Sequence, residues 1–339
     1  MTYRIALNFE DGATRFIDCN DGEKLLDAAY RNKVNLPMDC SDGVCGTCKC
    51  RAEQGSYDLG DDYIDDALTA EEAAQGFVLP CQMTVSSDCV VQVLVAATAC
   101  KLAPATMDAE LVSVERLSAN RVRLSIRATL GVLPVFLPGQ YVNFSVPGLA
   151  EVHRSYSFSS RPGAEVATFL IRNVEGGAMG AYLAREQPGD GLTLTGPLGS
   201  FYLREPVRPI LMIAGGTGLA PMLAMLETLA EQGAGGHPVH LVYGAHAKAD
   251  LVEVDRIEAL QAVLPGFTFV TTCSGAGNDH AVQGRVTDHI DPAHLHGGAV
   301  DVYLCGPPEM VESVRHAVGE VASLHFEKFI PAQPVGIAA

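Results

Sequence analysis

The chain has 339 residues, 48% hydrophobic and 19% charged, the balance of a soluble globular protein with room for two or three domains. Its 23 basic and 40 acidic residues give a net charge of −17, which disfavours nucleic acid as a partner because phosphate binding needs clustered Lys and Arg. No run of about 18 apolar residues occurs, so no membrane span is expected. Met1-Thr-Tyr-Arg-Ile5 runs straight into strand-like sequence without the basic start and long apolar stretch of a signal peptide, so a cytoplasmic location is expected.

Three textures follow one another. Residues 1–98 open with strand-like runs at Tyr3–Phe9 and Ala13–Asp18 and an amphipathic helix over Lys24–Lys33, with Leu25, Leu26, Ala28, Ala29 and Tyr30 as its apolar positions. A cysteine-rich loop follows, then an acidic stretch (Asp58, Asp61, Asp62, Asp65, Asp66, Glu71, Glu72), then a strand at Val90–Ala96. Residues 99–108, with Pro104, read as a linker. Residues 109–205 carry short β-favouring runs at Leu111–Leu117, Val122–Arg127, Tyr141–Val146, Ser155–Ser160 and Thr168–Arg172, interrupted by a helix over Ala178–Arg185; this predicts an antiparallel barrel or sandwich. Residues 206–339 alternate strands (Ile210–Ala214, Val239–Tyr243, Phe267–Thr272, Val300–Cys305, Leu324–Phe329) with helices (Leu219–Gln232, Leu251–Val263, Glu309–Ala322), the pattern of a doubly wound parallel sheet.

Ten cysteines in a chain of this length without an export signal point to metal rather than to a disulfide framework. Cys40, Cys45 and Cys48 are spaced C-x4-C-x2-C, with Cys81 far downstream, the plant-type spacing for a 2Fe–2S cluster. Gly43 and Gly46 give the loop backbone freedom. Structural zinc competes, but it usually pairs two C-x2-C knuckles and only one is present. Cys50 in place of Cys40, and Cys89 in place of Cys81, stay open. Cys19, Cys89, Cys100 and Cys273 read as plain buried thiols.

With this spacing, residues 1–98 resemble a plant-type 2Fe–2S ferredoxin of β-grasp fold. A ferredoxin followed by a barrel and a nucleotide-binding domain resembles the reductase components of bacterial aromatic-ring dioxygenases, with the benzoate, toluate and anthranilate types most similar. Arg154-Ser155-Tyr156-Ser157 is similar to the R-x-Y-S flavin motif of the ferredoxin–NADP reductase superfamily. The resemblance implies FAD, with Arg154 at its pyrophosphate, Tyr156 flanking the ring and Ser157 near its reactive nitrogen. Gly176-Gly177-Ala178-Met179-Gly180 precedes a helix, where backbone N–H groups can meet a phosphate; relatives usually carry Ser or Thr in place of Gly180. Arg172, closing the strand before it, joins the candidate cofactor residues.

Gly215-Gly216-Thr217-Gly218, with Pro221, follows a strand and opens a helix, the position for a pyrophosphate. It is similar to the G-G-T-G-x-x-P loop of the same superfamily. Cys305-Gly306-Pro307 is similar to the C-G-P segment that lies beside the nicotinamide in relatives, which implies a catalytic place for Cys305; a buried core thiol is the competing reading. Phe326-Glu327-Lys328-Phe329 resembles the superfamily's terminal Glu-x-aromatic, placing Glu327 near the reacting atoms and Phe329 over the flavin, with a buried edge strand as the alternative. Tyr243 and Gly244, at the end of a strand, join the candidate cofactor residues; no arginine follows before Arg256, which favours NADH over NADPH, although Lys248 keeps the latter open.

The resemblance implies an NADH-dependent oxidoreductase that passes electrons through FAD and a 2Fe–2S cluster to a partner oxygenase with a Rieske centre and non-haem iron. The reductase of a di-iron monooxygenase of phenol or methane type is the alternative. A non-catalytic redox sensor is a third reading.

Overall fold

The computed structural model describes residues 1–101, 104–145, 153–174, 176–185, 187–277 and 279–329. Two compact units emerge, one of residues 1–105 with 197–200, the other of residues 106–196 and those from 201 onward.

In the first unit, β1 (Thr2–Phe9) and β2 (Thr14–Asn20) form an antiparallel hairpin whose inward residues Ile5, Leu7 and Ile17 are buried. Helix α1 (Leu25–Arg31) lays Leu25, Leu26, Ala28 and Ala29 against the sheet, as its periodicity predicts. Then come β3 (Cys50–Gln54), β4 (Tyr57–Asp58), α2 (Ala70–Ala74), β5 (Phe77–Val78), β6 (Thr84–Val85) and β7 (Cys89–Val93). The main sheet runs β2-β1-β7-β3-β5, with β1 and β7 parallel in the centre: a β-grasp sheet gripping α1. The short elements within 50–85 are absent from the sequence reading because two-residue strands carry no periodicity.

The acidic stretch is not uniformly a surface. Glu72 is buried, in ion pair with Lys49 at 2.6 Å, and closes a capping box with Thr69 at the start of α2.

The expected linker is shorter than 99–108. A 3-10 turn spans Ala99–Lys101, and β8 (Ala105–Arg116) already begins at Ala105, because Ala109 and Leu111 continue inward the alternation that starts after Pro104. Strands β9 (Arg121–Ala128), β10 (Tyr141–Ser145), β11 (His153–Ser157), β12 (Ala167–Arg172) and β13 (Gly191–Leu198) complete an antiparallel sheet in the order β11-β10-β13-β8-β9-β12. A bridge between Phe158 and Phe169 brings the two edges together, so the barrel is nearly closed. Phe136 stacks on Phe158 at 3.7 Å inside it. β13 was not anticipated from sequence; its Thr, Gly and Pro positions dilute the β signal. Helix α3 (Ala178–Leu183) follows β12.

The nucleotide half has β14 (Ile210–Gly215), β15 (Val239–Ala245), β16 (Phe267–Cys273), β17 (Asp301–Gly306) and β18 (Ser323–Lys328), all parallel, in the order β16-β15-β14-β17-β18. Helices α4 (Leu219–Gln232) and α5 (Val254–Val263) cover one face and α6 (Pro308–Val318) the other. In α4 every residue from Leu219 to Leu226 is buried, because the helix is held between the sheet and the barrel residues Leu170 and Phe201. Polar ties add to this seam: Arg123 bonds both carboxylate oxygens of buried Glu253, and the Arg161 amide donates to Glu227.

Two predictions follow from packing. Glu72→Ala should destabilise the first unit by about 3 kcal/mol, since it strands a half-buried Lys49 and removes a helix cap; urea titration reads the loss, and a change below about 0.5 kcal/mol would show the pair to be dispensable. His240 on β15 stacks on His294 at 3.6 Å, and burial together with that neighbour holds its pKa down to about 4. The folded ring is therefore neutral, while the unfolded chain takes up protons below its ordinary value of 6.5. Stability of the second unit should be full above that value and fall as pH drops toward about 4, with His240→Gln flattening the dependence in a pH series of thermal midpoints.

Candidate functional site

The cysteine loop lies between α1 and β3. Gly43 (φ 80°) and Gly46 (φ 71°) are both left-handed, and a Cβ on Gly43 would overlap the Asp62 carbonyl. The Gly43 carbonyl accepts from the Ile64 amide, so the acidic segment is laid directly on the loop. Sulfurs draw backbone N–H groups: the Cys45 amide donates to Cys40 Sγ at 3.3 Å, the Thr47 amide to Cys45 Sγ at 3.5 Å, and the Gly43 amide bonds Cys81. Cys48 and Cys81 Sγ stand 3.3 Å apart. Hydrogen bonding from the Cys45 thiol lowers the Cys40 pKa, and the Cys48 thiol lowers that of Cys81 likewise, while Cys45 and Cys48 are pushed up.

The four thiols thus form two pairs, Cys40 with Cys45 and Cys48 with Cys81. Among the described residues no three Cys, His or acidic side chains are grouped to hold one metal ion. Two sulfurs per iron is what a dinuclear cluster takes, and amides aimed at sulfur are the contacts that tune it. The donor set fits a 2Fe–2S cluster. Cys50 stands outside both pairs: it lies in β3, in register with Val78 and Val93, it is buried, and burial pushes its pKa up to about 12. Cys89 bonds the Ser56 and Ser87 carbonyls instead.

On the barrel, strand alternation puts Arg154 and Tyr156 on one side of β11 and Ser155 and Ser157 on the other. Arg154 is half-buried, its Nη1 donating to the His153 carbonyl; Tyr156 rests on Phe144, and burial pushes its phenol up. Ser155 is exposed and bonds Asn143. Gly177 caps α3 with no side chain, leaving first-turn amides of Ala178 and Met179 uncapped; Met179 itself is buried in the barrel core. Where Gly180 stands, a Cβ would overlap Asn173 Oδ1, so the Asn173 carboxamide occupies the space a hydroxyl-bearing residue would use. Sequence reading missed Asn173, whose only signal is its place after Arg172.

The nucleotide loop and the C-G-P segment meet at the ends of β14 and β17. Gly215 and Gly306 are packed against each other and against Met310, and Pro307 borders Gly215. A Cβ on Gly218 would overlap the Cys305 carbonyl, and Gly216 is left-handed at φ 55°. Thr217 is half-buried between them, and Pro221 is buried in the first turn of α4. Gly244 at the end of β15 is equally confined, by Val286.

Ser157 Oγ donates to Glu327 Oε2 at 3.4 Å, joining the barrel to β18. Glu327 is in register with Cys305 on β17. Cys305 is fully buried in the core beneath α4, and burial, then Glu327, raises its pKa well above the usual thiol value, so it is a neutral thiol. Phe329 donates its amide to the Gly306 carbonyl and packs half-buried on the same core, whereas Phe326 lies on the opposite face under Arg315. Ser157, Cys305, Glu327, Gly306 and Phe329 are therefore neighbours. Tyr243 is not brought among them: it is fully buried, its hydroxyl holding the Asp250–Val252 turn. Lys248 is paired with Asp279. Arg121 on β9, which sequence reading also missed, reaches this region from the barrel; Gly216 is its neighbour.

Three family models match: a 2Fe-2S iron-sulfur cluster binding domain over residues 8–86, an oxidoreductase FAD-binding domain over 108–202 and an oxidoreductase NAD-binding domain over 212–316. The toluate 1,2-dioxygenase electron transfer component of Pseudomonas putida is 50% identical over 97% of this chain and 99% of the relative. The anthranilate 1,2-dioxygenase electron transfer component of Acinetobacter baylyi is 40% identical over 97% and 98%. Among solved structures, an Amycolatopsis cytochrome P450 reductase superposes with a TM-score of 0.69 at 32% identity, covering 97% of this chain and all of that one. With β-grasp, barrel and parallel sheet each carrying the matching residues, the chain belongs to the family of three-domain, FAD-, NAD- and 2Fe–2S-binding electron transfer components of aromatic-ring dioxygenases.

Proposed function

We propose that this chain oxidises NADH and delivers electrons singly, through Cys40, Cys45, Cys48 and Cys81, to a partner oxygenase that dihydroxylates an aromatic acid. The observation that carries this reading is the junction of Ser157, Glu327 and Cys305, where a barrel strand end meets the nucleotide sheet at the point where strand order reverses. Near-full-length identity to the toluate and anthranilate components favours a ring dioxygenase over a di-iron monooxygenase as partner. Ten free cysteines, four of them in the proposed cluster site, suit a reducing cytoplasm. Among the described residues no helix is long and apolar enough to cross a membrane.

The chemistry would come from bound groups: FAD would supply two-electron acceptance from NADH with one-electron release, and a 2Fe–2S cluster one-electron acceptance. The chain supplies the rest. Arg154 and the uncapped amides of Ala178 and Met179 are assigned to FAD. Gly215, Gly216, Thr217 and Gly218, with Gly306 and Pro307, are assigned to NADH, their missing or confined side chains leaving backbone open to a phosphate. Ser157 is assigned as the hydrogen-bond donor at the reacting centre. Glu327 orients that hydroxyl, and neutral Cys305 forms an apolar floor that excludes water. Phe329 is assigned as the aromatic cover.

Cys45→Ser should leave NADH-driven reduction of a flavin-accepting dye intact and abolish reduction of cytochrome c; survival of both activities unchanged sinks the proposed path. Ser157→Ala should slow flavin bleaching at saturating NADH by about a hundredfold while flavin content holds. Stopped-flow absorbance reads this directly, and a wild-type rate would remove Ser157 from the chemistry.

A further inference from the structure

Arg121 and Arg172 lie directly opposite one another in the antiparallel pair of β9 and β12. Cross-strand partners share a face with Cβ atoms about 5 Å apart, and like charges there repel. Among the described residues, Arg121 Nη1 bonds only the Asn120 carbonyl and side chain, and its Nε is buried with no hydrogen-bond partner. A guanidinium N–H buried without an acceptor is costly unless an acceptor arrives with a ligand. The same side chain faces the nucleotide loop: Nη2 lies 3.6 Å from where a Cβ on Gly216 would stand, and Gly216 is left-handed.

We propose that Arg121, with Arg172 beside it, binds the pyrophosphate of the nicotinamide dinucleotide from the barrel side, opposite the amides of the Gly215–Gly218 loop. The proposal rests on the NADH reading above and names a residue that reading does not use. A doubly charged diphosphate resolves the like-charge pair, offers an acceptor to the orphaned Nε, and suits the planar fork of a guanidinium. A 2′-phosphate is the other phosphate that could reach this region.

The test is NADH oxidation with a dye acceptor by the full-length, cofactor-loaded protein, unmodified and as Arg121→Gln and Arg121→Lys. ADP-ribose, 2′-AMP and adenosine serve as competitive inhibitors. In Arg121→Gln the KM for NADH and the inhibition constant of ADP-ribose should rise on the order of tenfold to a hundredfold, with kcat falling by a smaller factor and Arg121→Lys recovering part of the loss. Inhibition by adenosine and 2′-AMP should hold. Weakening of 2′-AMP alone would assign Arg121 to a 2′-phosphate and overturn the proposal. Parallel weakening by all three inhibitors would make the residue structural, loss of flavin would assign it to FAD, and no shift at all would leave it without a role; each overturns the proposal. If the unmodified protein neither oxidises NADH nor responds to ADP-ribose, the failure lies in the NADH reading itself and takes this inference with it.

Discussion

At the reversal of strand order in the nucleotide sheet, two chain segments come closer than any side chain allows. Helix α4 begins at the end of β14, and the C-G-P segment leaves the end of β17, with Gly218 against the Cys305 carbonyl and Gly215 against Gly306 and Met310. Glycine at these places is a steric requirement before it is a functional one. Meeting it leaves a row of unobstructed amides at the start of a long helix, the physical basis of anion binding in such sheets. It also fixes where β17 ends, and so where Cys305, Glu327 and the Phe329 amide stand. The barrel contributes by abutting the same edge, with Ser157 reaching Glu327 and Arg121 reaching toward Gly216.

The first unit solves a different problem with similar means. A loop that gathers four sulfurs must turn many amides inward, which left-handed glycines allow. The space outside the loop is then filled by backbone of the segment 61–67 rather than by side chains. That segment carries exposed acids, so negative charge is fixed around the sulfurs by the fold itself and is not an incidental surface composition. Buried Glu72 takes no part in it; its charge is spent on Lys49, beside Cys48.

Much of this was legible in the residues. Cysteine spacing, the R-x-Y-S strand and the two glycine segments are local, so one pass along the chain finds them. Helix α4 matched its expected bounds because its apolar run is uninterrupted. Glu72 was grouped with the other acids of its stretch although Thr69-Ala-Glu-Glu72 spells a capping box, a signal that was present in the sequence. Cys50 was undecided because spacing alone does not say which sulfurs gather; the pairs Cys40 with Cys45 and Cys48 with Cys81 leave it out. Tyr243 was placed at the cofactor by its position after a strand, yet its hydroxyl serves a turn seven residues on. Arg121 and Asn173 had no local signal at all. Each matters through a neighbour that only tertiary structure supplies, Gly216 for one and Gly180 for the other.

Strand β18 is the outer strand of its sheet, and every residue from Ser323 to Lys328 is half-buried, in contrast to the fully buried β14 and β17. Glu327 is carried on that strand and Phe329 on the residue after it. Edge strands with few buried contacts open at a small fraction of the free energy needed to unfold a core. The strand that completes the junction is therefore less protected than β14 and β17 beside it, so under mild denaturant fraying of β18 displaces Glu327 and Phe329 while those inner strands persist.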